Sequence, residues 1–282
     1  MKIKTQHQMF NRCINYIFKS VLKTTRTYIY MLIAPIVLMT LVYFLWYQSI
    51  LKNSRYILIT AFTLLPSLFL LFLVSYIICE WRDSVFIKQL KNFGISRFQF
   101  ISALLIVLFT TNFIAVLLVI GYLFFLDSFR HPHIVQIWLL QMHAVDQWLG
   151  VIFGIILNIL VVFFLSLLVS GALKNIYLVQ SINILILVLF LFFGDFFIDL
   201  GYATSKAAIV VGYFIPQKYL TWIVYMFYTQ SEINSYGFFL IVPAIDRNLS
   251  FLSIYQPIFG TLIFLGLFSV SSYFAFLMGT KR

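Results

Sequence analysis

Residues 148–172 read WLGVIFGIILNILVVFFLSLLVSGA, without one acidic or basic side chain. At 1.5 Å per residue a helix of roughly this length reaches about 37 Å, enough to cross a hydrocarbon core about 30 Å thick. A barrel strand would alternate apolar and polar residues over about ten positions. This run is continuous, so it reads as a helix. Its backbone groups are then satisfied within the segment, as lipid requires.

Outward from this run the same pattern recurs. Comparable apolar runs lie at about 29–50, which holds Pro35, at 56–79, at 99–126, at 177–198 and at 254–279. Of the 282 residues, 63% are hydrophobic, 20% aromatic and only 10% charged. A soluble domain carries about 25% charged residues. A chain this apolar could not cover its own surface, so its solvent is lipid. The predicted fold is an all-α integral membrane protein with six transmembrane helices, one membrane domain over 1–282. No internal repeat, linker or soluble domain is evident. No cleavable signal peptide is expected, because the first apolar run starts near Tyr28 and is too long for one.

Residues 8–27 do not read as a span. Phe10, Ile14, Ile17, Val21 and Tyr28 recur at helical spacing, and Arg12, Lys19, Lys23 and Arg26 recur on the polar side. This pattern predicts a basic amphipathic helix lying in the membrane interface and attracted to anionic lipid. An ordinary basic flank would give the same orientation.

Orientation follows from the basic residues. The segment up to residue 27 carries Lys2, Lys4, Arg12, Lys19, Lys23 and Arg26 and no acid, and the last residues include Lys281 and Arg282. Both ends belong in the cytoplasm of a multi-pass cell-membrane protein. The number of crossings is then even. Residues 207–228 compete as a span but hold Pro216, Gln217 and Lys218, and 236–245 is too short to supply a partner crossing. Segment 203–250 is therefore expected on the outer leaflet, as a broken hairpin that dips into the membrane against protein. The formal charge of +11 is read as this orientation signal. No basic stretch is interleaved with stacking aromatics on a solvated face, so nucleic-acid binding is not expected.

Chemistry is sparse. Cys13 and Cys79 stand in no metal-ligand spacing and read as small apolar residues in a reducing compartment. His131, His133 and His143 share an outer loop near Asp127 and Asp146, a spacing too loose to specify a metal. No G-x-x-x-x-G-K-[ST] and no H-E-x-x-H is present. Asp195 and Asp199 are four apart near the outer end of the fifth run, hence on one helix face. They are candidates for an outer-mouth cation or substrate contact, with an interfacial pair as the plainer reading. An enzyme would need acid–base groups inside the bundle, and none is evident.

The informative loop is 80–98, from Glu80 to Arg97 and on to the third run. Val85, Ile87, Leu90 and Phe93 are apolar, Arg82, Lys88 and Lys91 are basic, and Asn92 with Gly94 gives a stop signal before a helix restarts after Ser96. The plain alternative is a connecting turn with cytoplasmic charges.

The order of an interfacial basic helix, two spans, a Glu-led loop and four more spans with an outer hairpin before the last resembles the permease subunits of type-2 ABC exporters. Glu80, Leu90, Lys91, Gly94, Ser96 and Arg97 fit the family's loop pattern after the second span, with Gly94-Ile95 where Pro-Val or Pro-Leu is common. The segment with Gly212 and Pro216 resembles the family's broken hairpin. The resemblance implies a cytoplasmic coupling helix at 80–98 docking an ATPase through Glu80, Arg82, Asp83, Lys88, Leu90, Lys91, Gly94 and Arg97. It also implies an elbow helix bearing Arg12, Lys19, Lys23 and Arg26. A second permease chain, identical or sister, and separate ABC ATPase subunits would complete the assembly. This chain would hold no cofactor and no catalytic residue, with ATP and Mg on the partner ATPase. Thirty-three Phe and seventeen Tyr suit a hydrophobic or amphipathic peptide cargo, such as an antimicrobial peptide, with lipid-linked polymer or drugs as alternatives. A non-transporting scaffold or sensor subunit is the competing class.

Overall fold

The computed structural model describes residues 2–52, 57–83, 94–129, 144–196, 210–229, 251 and 253–281. All regular secondary structure among them is helical. Among the described residues, six helices are long and apolar enough to cross a membrane: Thr25–Phe44, Phe62–Arg82, Arg97–Asp127, Val145–Ala172, Ile176–Phe193 and Tyr255–Leu277. They are numbered below as spans one to six. Large apolar side chains are exposed around the outside, among them Leu118, Phe125, Leu185, Phe192, Ile263 and Leu267. That is the inverse of a soluble protein and matches a lipid surround.

Span four is the hub. It packs on span two, on span six and on a further helix, Pro216–Thr229. Small residues make the close approaches. A Cβ on Gly171 would lie 2.8 Å from the Phe276 backbone nitrogen, so spans four and six meet backbone to backbone there. Gly150 and Gly154, one helical turn apart, receive Phe227 and Val224 of Pro216–Thr229. Association in lipid relies on such packing, because hydrocarbon supplies no hydrophobic drive between helices. Span two is the innermost, almost wholly buried, whereas few residues of spans five and six are buried.

Helix Pro216–Thr229 opens on proline, which suits the first helical position. Its 14 residues reach about 21 Å. That is too short to cross, and Leu220, Trp222, Ile223, Val224 and Tyr225 are buried against protein. The proline and the two polar residues after it mark a start, so the apolar stretch 207–228 is not one continuous span.

The N-terminal helix Lys2–Lys23 is longer at its start than 8–27 and ends sooner. Thr24 takes an extended conformation. Its hydroxyl donates to Ser20 O at 2.9 Å, and the Thr27 hydroxyl donates to Val21 O at 2.6 Å. Threonine hydroxyls thus occupy the carbonyls that the helix would otherwise leave open. Arg26 and Tyr28 accordingly belong to the start of span one, and Tyr28 is exposed rather than on the apolar face. Cys13, Ile17 and Val21 form the buried face, against span three.

Contacts fix which helix ends lie together. The Arg26 guanidinium sits 3.9 Å from the Tyr76 ring centroid, Trp81 packs on Phe100, and Phe100 stacks on Phe276. The start of span one, the end of span two, the start of span three and the end of span six therefore share one end of the bundle.

Candidate functional site

Of the residues singled out in loop 80–98, the structure places Glu80, Arg82, Gly94, Ser96 and Arg97 at that shared end. Glu80 is exposed, one turn beyond Tyr76 on span two and close enough to act electrostatically on its hydroxyl. Tyr76 therefore has Arg26 over its ring and Glu80 at its hydroxyl, which joins the starts of this loop and of span one. Gly94 has φ +72°, a left-handed conformation that costs glycine nothing and breaks the chain direction before span three. Ser96 then caps that span: its hydroxyl accepts from Gln99 N at 3.2 Å, while Gln99 Oε1 accepts from Ser96 N at 2.9 Å. Arg97 is the first residue of the helix and half-exposed. Helix continues from span two to Asp83. The Asp83 side chain and Lys88, Leu90 and Lys91 lie outside the described residues.

Arg82 differs from the expectation of a free docking charge. Its guanidinium donates to Ser170 O, Leu173 O and Lys174 O, each at 2.8 Å. These are carbonyls at the C-terminal end of span four, where the helix leaves acceptors unpaired and carries partial negative charge. Arg82 thus pins the end of span two to the end of span four.

On the N-terminal helix, Arg12, Lys19 and Lys23 are exposed together with Met9 and Tyr16. Their spacing puts them on one face beside the buried one. Burial pushes the Cys13 thiol up from its ordinary pKa. Cys13 and Cys79 are both buried and in no disulfide among the described residues, and Arg82 also donates to Cys79 Sγ at 3.6 Å.

The opposite end holds a buried charge pair. Span five ends at Phe193, so Asp195 is beyond it rather than on a helix face shared with Asp199. Gly194 is the cap, and Asp195 takes φ +56°, a rare conformation for a side-chain-bearing residue and one that Asp tolerates. Its Oδ2 lies 3.3 Å from Lys218 Nζ and accepts from Trp222 Nε1 at 2.8 Å. The Lys218 ammonium also sits 5.5 Å from the Tyr213 ring centroid, and its stem lies against Gly212. Asp195 is therefore buried and held by protein partners. Asp199 and the three loop histidines lie outside the described residues. Asp127 at the end of span three is wholly buried and accepts from the Tyr43 hydroxyl at 2.8 Å.

A polar ladder runs through the bundle centre. Ser75 and Ser166 hydroxyls lie 2.7 Å apart. Asn183 donates to Ser75 Oγ at 2.9 Å and to Leu71 O at 3.1 Å. Ser166 also donates to Leu71 O at 2.7 Å, and Asn158 donates to Leu64 O at 2.9 Å and to Ser67 Oγ. All five side chains are fully buried. The ladder is made of hydroxyls and carboxamides, groups that hold helices together in lipid.

Lys218 as the partner of Asp195, and the ladder, were missed from sequence. A lone acid and a lone base in apolar surroundings are a pairing signal in a membrane protein. Asn158 and Asn183 inside long apolar runs are another, and Gly150-x-x-x-Gly154 marks a helix-packing face.

The sequence matches no protein-family model and no curated protein.

Proposed function

We propose that this chain is the membrane-spanning permease subunit of an ATP-driven type-2 ABC exporter. The reading is carried by the order of elements: a basic amphipathic helix, two spans, a Glu-led segment, and a short buried helix before the last span. The N-terminal helix acts as the elbow, resting Met9, Arg12, Tyr16, Lys19 and Lys23 on the anionic inner leaflet of the cell membrane. Both termini are cytoplasmic, and the Asp195–Lys218 end faces outward.

Segment 80–98 receives the ATPase, which binds ATP and Mg and performs the hydrolysis. A displacement of the loop moves the ends of spans two and four together, because Arg82 ties them. A second permease chain completes the path. The cargo is a hydrophobic or amphipathic peptide, in keeping with the aromatic content and the scarcity of charge in the spans.

The test is a mild-detergent pull-down from the native cells, with and without crosslinking, read by mass spectrometry. Recovery of an ABC ATPase is expected. Repeated absence of one, crosslinked samples included, would discard the exporter reading in favour of a scaffold or sensor subunit.

A further inference from the structure

Span two is interrupted at one residue. It runs as Ile57–Leu68 and Leu70–Asp83, with Pro66 inside the first piece and Phe69 between them. Proline removes a backbone donor and crowds the preceding turn, so the helix is one bond weaker just before the interruption at Phe69. Span one is irregular as well. Residues Ile29–Ile33 form a wide turn just before Pro35, with Ala34 N–H reaching back to Ile29 O. The two irregular stretches face each other: Tyr30 stacks on Phe72 at 5.8 Å and 17°, and Phe69 packs on Phe72. About a turn and a half beyond that stack lies Pro35 on one helix and Pro66 on the other.

The two halves of span two are held unequally. The second half has Ser75 and Leu71 O bonded by Ser166 and Asn183, Gln180 donating to Phe72 O at 3.4 Å, and Arg82 on the end of span four. The first half is bonded to span four through the Asn158 amide at Leu64 O and Ser67 Oγ. The Asn158 Oδ1 atom is buried without a partner among the described residues, as are Asn183 Oδ1 and Gln180 Oε1 against the second half, so the inequality lies in the number of bonds and not in these oxygens.

We propose that span two is a jointed helix: it pivots between Pro66 and Phe69, its second half is fixed to spans four and five, and Asn158 latches its first half. Mid-helix irregularities of this kind mark hinges. The joint lets the two ends of the bundle rearrange separately while spans four and five keep their hold on Leu70–Asp83. This inference does not depend on the exporter reading.

Hydrogen exchange of the full chain in lipid nanodiscs, resolved by mass spectrometry, tests it. In the unaltered protein, amides at 69–73 are expected to exchange faster than those at 74–79. Uniform protection across 62–79 would overturn the joint. In Asn158→Ala, which removes two hydrogen bonds, exchange in 62–68 is expected to rise by about fivefold or more, fivefold being the opening that loss of one net bond allows, while 74–79 stays as it was. An equal rise in both halves, or none in the first, would overturn the latch. Pro66→Ala, a change that favours helix, should make the halves respond together to Asn158→Ala. A persistent difference between them in that background would also reject the pivot.

Discussion

Lys218 Nζ and Asp195 Oδ2 stand 3.3 Å apart with side chains 1% and 8% exposed, so two opposite charges separated by 23 positions in sequence are buried as a pair. Each charge alone would be costly in this place, and the pair is tolerated because each satisfies the other. Lys218→Met is therefore expected to destabilise the chain by about 3–5 kcal/mol, since it strands the carboxylate. Asp195→Asn combined with Lys218→Met should recover most of that loss. Thermal melting of the purified variants in detergent checks both, and a double variant no more stable than Lys218→Met would show that the pair is not the source of the effect.

Arg82 is expected to behave as a structural residue. Arg82→Ala leaves the end carbonyls of span four without their cationic donor and should destabilise by about 1.5–3 kcal/mol, the range for hydrogen bonds to a charged group. Arg82→Lys should recover only part, because an ammonium cannot reproduce the guanidinium fork. Melting temperature, or survival in a harsher detergent, measures this. A melting temperature unchanged in Arg82→Ala would contradict the clamp.

Glu80 separates from its neighbour. It is exposed, so Glu80→Lys is expected to leave the melting temperature nearly unchanged. On the proposed function the same variant loses ATP-dependent export and ATPase stimulation in a reconstituted complex. Full export by Glu80→Lys would remove Glu80 from the docking surface without touching the fold.

Gly171 and Gly266 offer an internal control. A Cβ at Gly171 meets the backbone of span six, whereas at Gly266 nothing lies within 4 Å. Gly171→Val should cost about 1–3 kcal/mol through overpacking, and Gly266→Val should be close to neutral on the same melting assay.

Cys13 gives a pH dependence. Burial raises its thiol pKa, so the folded chain favours the neutral form. That contribution to stability is present below the ordinary thiol value of about 8.5 and is lost as pH rises through the raised one. Melting temperature should thus fall between pH 8 and pH 10 more in the native chain than in Cys13→Ala. At pH 7.5, iodoacetamide should label Cys13 more slowly than a cysteine placed at exposed Asn11. Equal labelling would mean the thiol is not shielded.

Much of the fold was legible from sequence because length and hydropathy are strong signals in lipid. All six spans coincide with the long apolar runs, and the restart after Ser96 follows from its cap. Boundaries were harder. The run at 177–198 gave no hint that the helix stops at Phe193, because Phe196, Phe197 and Ile198 keep the composition apolar after the helix has ended. The short helix Pro216–Thr229 was ambiguous for the opposite reason: its hydropathy resembles a crossing, and only its proline start and buried lysine show otherwise. Arg82 was read as a loop charge because nothing local reveals that it points at span four. Side-chain partners set 88–92 positions away are a property of the packed bundle, not of any stretch of sequence.

The central position of span two has a consequence for how the chain is made. Its hydrogen-bond partners Ser166 and Asn183 follow Ser75 by 91 and 108 positions. At about 5–20 residues per second, synthesis takes on the order of 5–20 s to supply them. During that interval the serines of span two wait beside lipid or the insertion machinery. Span four is thus the late arrival that releases an earlier helix from waiting. Changes at Asn158 or Ser166 would therefore also lower the yield of inserted chain, beside any change in the mature protein.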